Sequence, residues 1–449
     1  MKDILRNISI SIIIGLLAVI LGMKAILIFL GLVYLYICWV NPKRAFWVMY
    51  FIIIMLPINS NNIIITYFST KIGKTSINVI QIMAILLGSI VLIKSKSLRK
   101  VNIKGLTNKA FILLVLLYGL YVYMGMSKGY DAFSDFKIYI IHIILFYITY
   151  KVIDVKEDIY KLMNITLSAL TINSIWTLFM YLTHRWKIWG ITYEGGRFGG
   201  NYLTLYVVTI SYVLFSFYNK NKNFNKILAI ISFGVSMIMM MLSQNRTNPI
   251  LLLVSCILIL LFTFNNGKSS RGIISKIVIF TGVIGGILYG TNILLNGESD
   301  FAERFTSVNN LVEDKNVKTR ILTLEYYSKL IVKNPVGNGF GTRMPFVDSY
   351  GRFQYEEGYN VDNAYLNIGR KAGIITLIVY AYLVISPIFS LRKLYKKNKD
   401  KVYIAISISY IMLLGAASMI TSQMIHAYAV SCFIWVFISY TNTLQIESK

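Results

Sequence analysis

The chain has 449 residues, of which 56% are hydrophobic and only 14% are charged, and its mean hydropathy is +0.63. Apolar runs of about 20 residues recur from end to end without the alternation of an outer-membrane barrel, which excludes an ordinary soluble domain and indicates a multi-pass membrane protein. The net charge of +26 is best explained by basic loops beside the membrane, so no nucleic-acid partner is expected.

The apolar runs predict an all-α polytopic membrane fold with about 12–14 transmembrane helices. We expect one integral membrane domain over 1–449, in which the third and sixth spans are short. The candidate spans are approximately 8–23, 25–41, 45–58, 78–93, 110–126, 137–150, 162–182, 201–217, 227–242, 248–264, 277–295, 364–390, 402–421 and 425–440.

Lys and Arg concentrate in alternate loops. Together with both termini, these loops hold 26 Lys and Arg against six Asp and Glu, whereas the short loops between them carry nine Lys and Arg. The positive-inside rule therefore predicts that both termini are cytoplasmic. Richness in Lys, Asn and Ile indicates an AT-rich bacterial genome, so we expect the protein in a bacterial cytoplasmic membrane. The long polar segment 297–363 then forms one extracytoplasmic loop, on the same side as the segments 183–200 and 243–248.

Two short outward segments each contain one arginine. In 193–201, which reads YEGGRFGGN, the glycines would let the backbone around Arg197 approach a bulky or anionic group. A loop that leads into a helix capped by Asn201 explains this segment equally well. The segment 243–249 is too short to leave the membrane surface, so we expect Arg246 at the interface, where it binds a ligand or reaches lipid headgroups.

The long loop contains a predicted helix and a glycine-rich turn. Apolar residues at helical spacing predict a helix over 319–331, which should end at Asn334-Pro335. The sequence GNGFG follows, with glycines at Gly337, Gly339 and Gly341. Because no predicted strand precedes it, this is not a dinucleotide-binding motif. Its backbone amides could hold phosphate oxygens, and a structural hairpin is an equally good explanation.

The loop ends at Asp362 and Asn363, where the chain re-enters the membrane. Asp362 is either a helix cap or a general base. His426, at the outer end of the last helical hairpin, is a competing base, although an interfacial His satisfied by the backbone is a simpler explanation. We find no metal-ligand spacing and no P-loop in the sequence, so neither a metal nor a cofactor is expected.

Several arginines and one acid are thus expected on the same side of the membrane, close to lipid. Catalysis on a polyisoprenyl-diphosphate-linked sugar needs such a set. Arginines stabilise the diphosphate as the glycosyl bond breaks, because negative charge builds up on it. A carboxylate takes the proton from the attacking sugar hydroxyl.

Four segments, in this order, carry a resemblance to a known family: GGRFGGN, SQNR, KTRILTLEYYSKLIVKNPVGNGFGT and VDNAYLNIGRKAGI. Over 193–380 the chain resembles the O-antigen polymerase and ligase family (Wzy-type and WaaL-type proteins). The resemblance implies a GT-C-like membrane glycosyltransferase that uses an undecaprenyl-diphosphate-linked oligosaccharide and no metal. It also implies diphosphate binding by Arg197, Arg246 and Arg320, with the region of Asp362 supplying or orienting the base.

Ligases of this family commonly have His where this chain has Asp362, so the resemblance favours a polymerase that joins lipid-linked repeat units. A ligase with a different surface acceptor stays open. A lipid-linked oligosaccharide flippase is a third possibility, but it would need buried charge, and the predicted spans are nearly free of it. The expected partners are the lipid-linked oligosaccharide, membrane lipids and other polysaccharide export proteins.

Overall fold

The protein is described by a computed structural model, and its helices account for most of the described chain. The residues described are 29–56, 70–72, 75–95, 98, 105–153, 155–183, 192–194, 197–199, 208–209, 211–213, 225–242, 315–348, 350–354, 360–361, 363–400, 402–414 and 428–447. The helices are α1 Phe29–Val40, α2 Pro42–Met55, α3 Val79–Ile93, α4 Leu106–Ser127, α5 Ala132–Val152, α6 Val155–Leu182, α7 Lys226–Leu242, α8 Lys315–Lys333, α9 Ala364–Asn398, α10 Val402–Leu413 and α11 Tyr428–Glu447.

Four of these helices, α4, α5, α6 and α9, are long and apolar enough to cross a membrane. Several shorter helices, among them α3, α10 and α11, are also apolar. Every predicted span that falls mainly on described residues coincides with a helix. The predicted spans 8–23, 248–264 and 277–295 lie outside the described residues, and only fragments of 201–217 are described.

The sixth predicted span was wrong in its length. We expected a short helix over 137–150, whereas α5 has 21 residues. The first turn was missed because its charged residues resemble a loop. The Asp131 side chain caps this turn by accepting a hydrogen bond from the Ser134 amide, and Asp135 lies buried inside it.

Short antiparallel hairpins are the only strands among the residues described. They pair β1 Thr70–Ile72 with β2 Thr75–Ile77, β3 Thr192–Glu194 with β4 Arg197–Gly199, and β5 Phe346–Val347 with β6 Phe353–Gln354. The β3–β4 hairpin includes Arg197, whereas the expected helix cap, Asn201, lies outside the described residues. Two glycines connect the strands of this hairpin, which is a common composition for a two-residue hairpin turn.

Helix α9 begins at a cap and is interrupted early. Its N-cap is Asn363, whose side chain accepts a hydrogen bond from the Leu366 amide. The interpretation of Asp362 as the cap is therefore wrong. At Gly373 the backbone leaves the helical region, with φ 76° and ψ 173°, so α9 consists of a short first part and a long second part. We call this interruption the α9 break.

Candidate functional site

The glycine turn, residues 335–341, lies against the α9 break. The Gly339 amide donates a hydrogen bond of 2.8 Å to the Lys371 carbonyl, and the Ile374 amide donates one of 2.8 Å to the Pro335 carbonyl. The turn thus supplies hydrogen-bond partners for backbone groups that the α9 break leaves without helical partners. The long loop is thereby fixed at one end of the helical bundle, which we call the loop end.

The glycines of the turn allow very close backbone contacts. Gly337, Gly339 and Gly341 all have positive φ angles. A Cβ atom at Gly339 would lie 2.6 Å from the Gly125 nitrogen at the end of α4. Such a distance is too short for two non-bonded atoms, so the spacing of the GNGFG sequence is explained by packing between helix ends.

Every backbone amide from Gly337 to Gly341 already donates to a protein group. The acceptors, in chain order, are the carbonyls of Asn334, Arg370, Lys371 and Tyr121 and the Asp135 carboxylate. Because a backbone N–H is a single donor, these amides do not form a phosphate cradle. Of the two explanations of the turn, the structure favours the structural one.

A buried ion pair joins the turn to α5 and α9. The Lys371 ammonium nitrogen lies 2.7 Å from Asp135 Oδ1, and both side chains are wholly buried. Asp135 Oδ2 accepts a hydrogen bond of 2.8 Å from the Gly341 amide, and Lys371 Nζ donates one of 2.7 Å to Asn360 Oδ1. Gly341 and Asn360, the two ends of the segment 341–360, therefore both hydrogen-bond to this ion pair.

This pair was missed in the sequence: Lys371 lies within the predicted span 364–390, and Asp135 lies just before the predicted span 137–150. The one available signal was the spacing of Asn363, Asn367 and Lys371, which places them along one side of α9. Asn367 accepts a hydrogen bond of 2.8 Å from the Val361 amide and donates one of 2.9 Å to the Val361 carbonyl. The neighbours of Asp362 in the chain are thus fixed by α9, while Asp362 itself lies outside the described residues.

Helix α8 packs on the start of α9 through a small apolar cluster. Tyr327, Ile331, Met344, Val361 and Leu366 form this cluster. Burial raises the pKa of Tyr327, and its hydroxyl donates a hydrogen bond of 2.7 Å to the Pro345 carbonyl. The packed face of α8 therefore lies against the segment that leads into α9.

Arg320 is exposed and precedes Tyr327 by seven residues. Seven residues correspond to about two helical turns, or about 10 Å, so Arg320 lies on nearly the same side of α8 as Tyr327. Among the other predicted site residues, Arg197 lies in β4 opposite Glu194. Arg246 and His426 lie outside the described residues.

The segment 315–354 of the loop is basic, with seven Lys and Arg but only two acids. The rest of the loop, 297–314 and 355–363, has eight acids and one arginine. Both acids of the basic segment are paired: Glu325 lies 2.6 Å from Lys329, and Asp348 lies 3.0 Å from Arg352. Burial alone would raise the pKa of Asp348, but hydrogen bonds from Arg352 and from the Tyr350 amide hold it below its ordinary value.

The chain matches no protein-family model and no curated protein. No group of three or more potential metal ligands occurs in the part of the chain that the structure describes. Function is therefore inferred from the loop end of the bundle and the basic segment that covers it.

Proposed function

We propose that this protein is a membrane glycosyltransferase that polymerises a surface polysaccharide. It transfers the growing glycan from an undecaprenyl-diphosphate carrier to a hydroxyl of another lipid-linked repeat unit. The reaction takes place on the outer side of the cytoplasmic membrane, with both termini of the chain in the cytoplasm. The proposed fold is GT-C-like, with the long loop at the outer surface.

The packing of α8 on the start of α9 carries this proposal. It brings together two parts of the loop that are far apart in sequence, the side of α8 that bears Arg320 and the segment 361–363. Donor binding and acceptor activation must occur within one site, because the two reacting groups need to meet in a defined orientation. The contact between these segments supports such a site.

Clustering of positive charge within the loop is a second line of support. The segment 315–354 holds seven Lys and Arg against two acids, although the whole loop, 297–363, has eight Lys and Arg and ten acids. A lipid-linked diphosphate is a strongly anionic ligand at the membrane surface. Excess cations next to the membrane attract it and stabilise it as a leaving group.

In the proposed reaction, the bond between the donor sugar and the diphosphate breaks as the acceptor hydroxyl attacks the same sugar carbon. Arg320, with Arg197 and Arg246, neutralises the negative charge that develops on the departing diphosphate. Asp362 accepts the proton of the acceptor hydroxyl, and His426 is the alternative base. The Asp135–Lys371 pair holds the segment that precedes Asp362.

Purified protein in nanodiscs, supplied with lipid-linked repeat units, tests this proposal through the length of the product. We expect wild-type protein and Lys318→Ala to make long chains, whereas Arg320→Ala and Asp362→Asn make few or none. Lys318 is a matched control, because it is an exposed cation about 200° around α8 from Arg320. Long chains from all four proteins would refute the proposed site, and extension without a further acceptor would exclude a ligase.

A lipid-linked oligosaccharide transporter is the second candidate, and the buried Asp135–Lys371 pair is the observation that favours it. However, Asp135 is the fourth residue of α5. It therefore lies near the loop end, whereas transport sites commonly lie near the middle of the membrane. Movement of lipid-linked units across vesicles without bond formation would support the transporter instead.

A further inference from the structure

Helix α8 has an apolar side that the described part of the protein leaves exposed. Successive helical residues are about 100° apart, so Tyr327 and Ile331 share one side, which packs on the bundle. A neighbouring side carries Ile321, Leu324 and Val332, which are 55%, 51% and 75% exposed. We call these three residues the apolar stripe. Exposed aliphatic side chains in line on an otherwise polar segment indicate a binding surface.

The next side of α8 is basic. Lys318, Lys329 and Lys333 are exposed there, together with Glu325, which is already paired with Lys329. An uncovered apolar stripe beside a row of lysines is the pattern of helices that lie in a membrane interface. The apolar side enters the boundary between headgroups and acyl chains, and the lysines meet lipid phosphates.

The apolar stripe continues onto the lipid-facing surface of α9. Val336, just past the end of α8, is 60% exposed. The adjacent Pro335 accepts a hydrogen bond from the Ile374 amide, so this point of the turn touches α9. Beyond it, Ile375 and Ile378 are exposed on a helix long and apolar enough to cross a membrane. One apolar surface therefore runs from α9 to α8 through Val336.

We propose that α8 lies on the membrane at the loop end, with the apolar stripe in the phospholipid surface and the lysine side toward the headgroups. Continuity with the lipid-facing surface of α9 and the row of lysines favour lipid over a second protein as the partner. This inference does not depend on the proposed function. It would also set the depth of Arg320, which lies on nearly the same side of α8 as Tyr327 and next to Leu324 of the apolar stripe, close to headgroup level.

Photo-crosslinking in the full-length protein tests this orientation. Benzoylphenylalanine is introduced by itself at Val332 or at Lys333, and the protein is placed in phospholipid nanodiscs and irradiated. These two residues are exposed and adjacent but about 100° apart around α8, so they form a matched pair. Leu324 and Lys329, which are both exposed and about 140° apart around α8, form a second pair. Adducts are identified by mass spectrometry.

We expect several-fold more lipid adducts from Val332 and Leu324 than from Lys333 and Lys329. Equal amounts of lipid adduct from both sides of α8 would overturn the proposal. Crosslinks from Val332 or Leu324 to a second copy of the chain would also overturn it, because the stripe would then be a protein interface. All four positions are exposed, so the probe itself should not prevent folding.

Discussion

The ammonium group of Lys371 and the carboxylate of Asp135 lie 2.7 Å apart with no exposure to solvent, although 236 residues separate them in the chain. Removing two charges from water is costly, and their attraction offsets this cost only when further hydrogen bonds complete the site. The Gly341 amide and the Asn360 side chain supply those bonds. The pair therefore determines which part of the loop meets which helices.

Removal of one member of this pair should be strongly destabilising. We expect Lys371→Met to lower the free energy of unfolding by about 3–5 kcal/mol, because it leaves the Asp135 carboxylate buried without a counter-charge. The double variant Asp135→Asn, Lys371→Met should recover much of this loss. Denaturant unfolding in mild detergent, followed by circular dichroism, measures both.

The exposed pair of Glu325 and Lys329 provides the control, and Lys329→Met should change stability little. If the double variant is no more stable than Lys371→Met alone, the buried charge is not the cause of the loss.

Because its backbone lies so close to α4, Gly339 should tolerate substitution by alanine far less well than Gly351. Both have positive φ, but a Cβ at Gly339 would meet the backbone of α4, whereas one at Gly351 would meet nothing within 4 Å. Gly351→Ala should therefore cost only the strain of the left-handed region, about 1–2 kcal/mol. We expect Gly339→Ala to cost more and to detach the turn, which limited proteolysis of the loop would detect. Equal effects would contradict this packing.

Asn367 should be required to hold the segment that leads into α9. Asn367→Leu leaves the Val361 amide buried without its partner, which costs about 1–3 kcal/mol, whereas the Val361 carbonyl keeps its hydrogen bond from the Asn363 amide. Hydrogen exchange at the Val361 amide should become faster. Asn363→Ser is the control, because serine caps a helix as well as asparagine does. Unchanged exchange in Asn367→Leu would show that other contacts fix this segment.

Lowering the pH should loosen the β5–β6 hairpin, because it protonates the Asp348 carboxylate. This carboxylate accepts hydrogen bonds from Tyr350 and Arg352, and its folded-state pKa lies below the ordinary value of 3.8. Its stabilising contribution is therefore complete above the ordinary pKa and is lost as the pH falls through the lower folded value. Amide protection factors, corrected for intrinsic exchange, should fall in that range.

Asp348→Asn should remove this pH dependence, because an amide keeps acceptor capacity but does not titrate. A wild-type hairpin whose protection stays constant through the same acid range would disprove the role of Asp348.

Local signals in the sequence predicted the helices well. The spans 78–93 and 227–242 match α3 and α7 almost residue for residue, because polar residues bound these apolar runs. The helix expected over 319–331 is confirmed within α8, and it ends before Asn334-Pro335 as expected.

The contacts of the candidate site could not be predicted in this way. The glycines at 337, 339 and 341 indicated a turn and left phosphate binding and a structural role open. That the turn packs against the ends of α4 and α9 depends on tertiary contacts. Charge pairing across 236 residues leaves no local pattern, so Asp135 was taken for part of a loop. The roles of Arg246, Asp362 and His426 stay predictions, because these residues lie outside the described chain.

The separation of Asp135 from Lys371 has a consequence for biosynthesis. At typical rates of translation, roughly 10–50 s pass between the synthesis of the two residues. During this interval the carboxylate is at the membrane without its counter-charge. Its place in the first turn of α5 lets it stay hydrated at the surface until α9 arrives. Burial of Asp135 can therefore be completed only after most of the chain has been made, because Lys371 follows it by 236 residues.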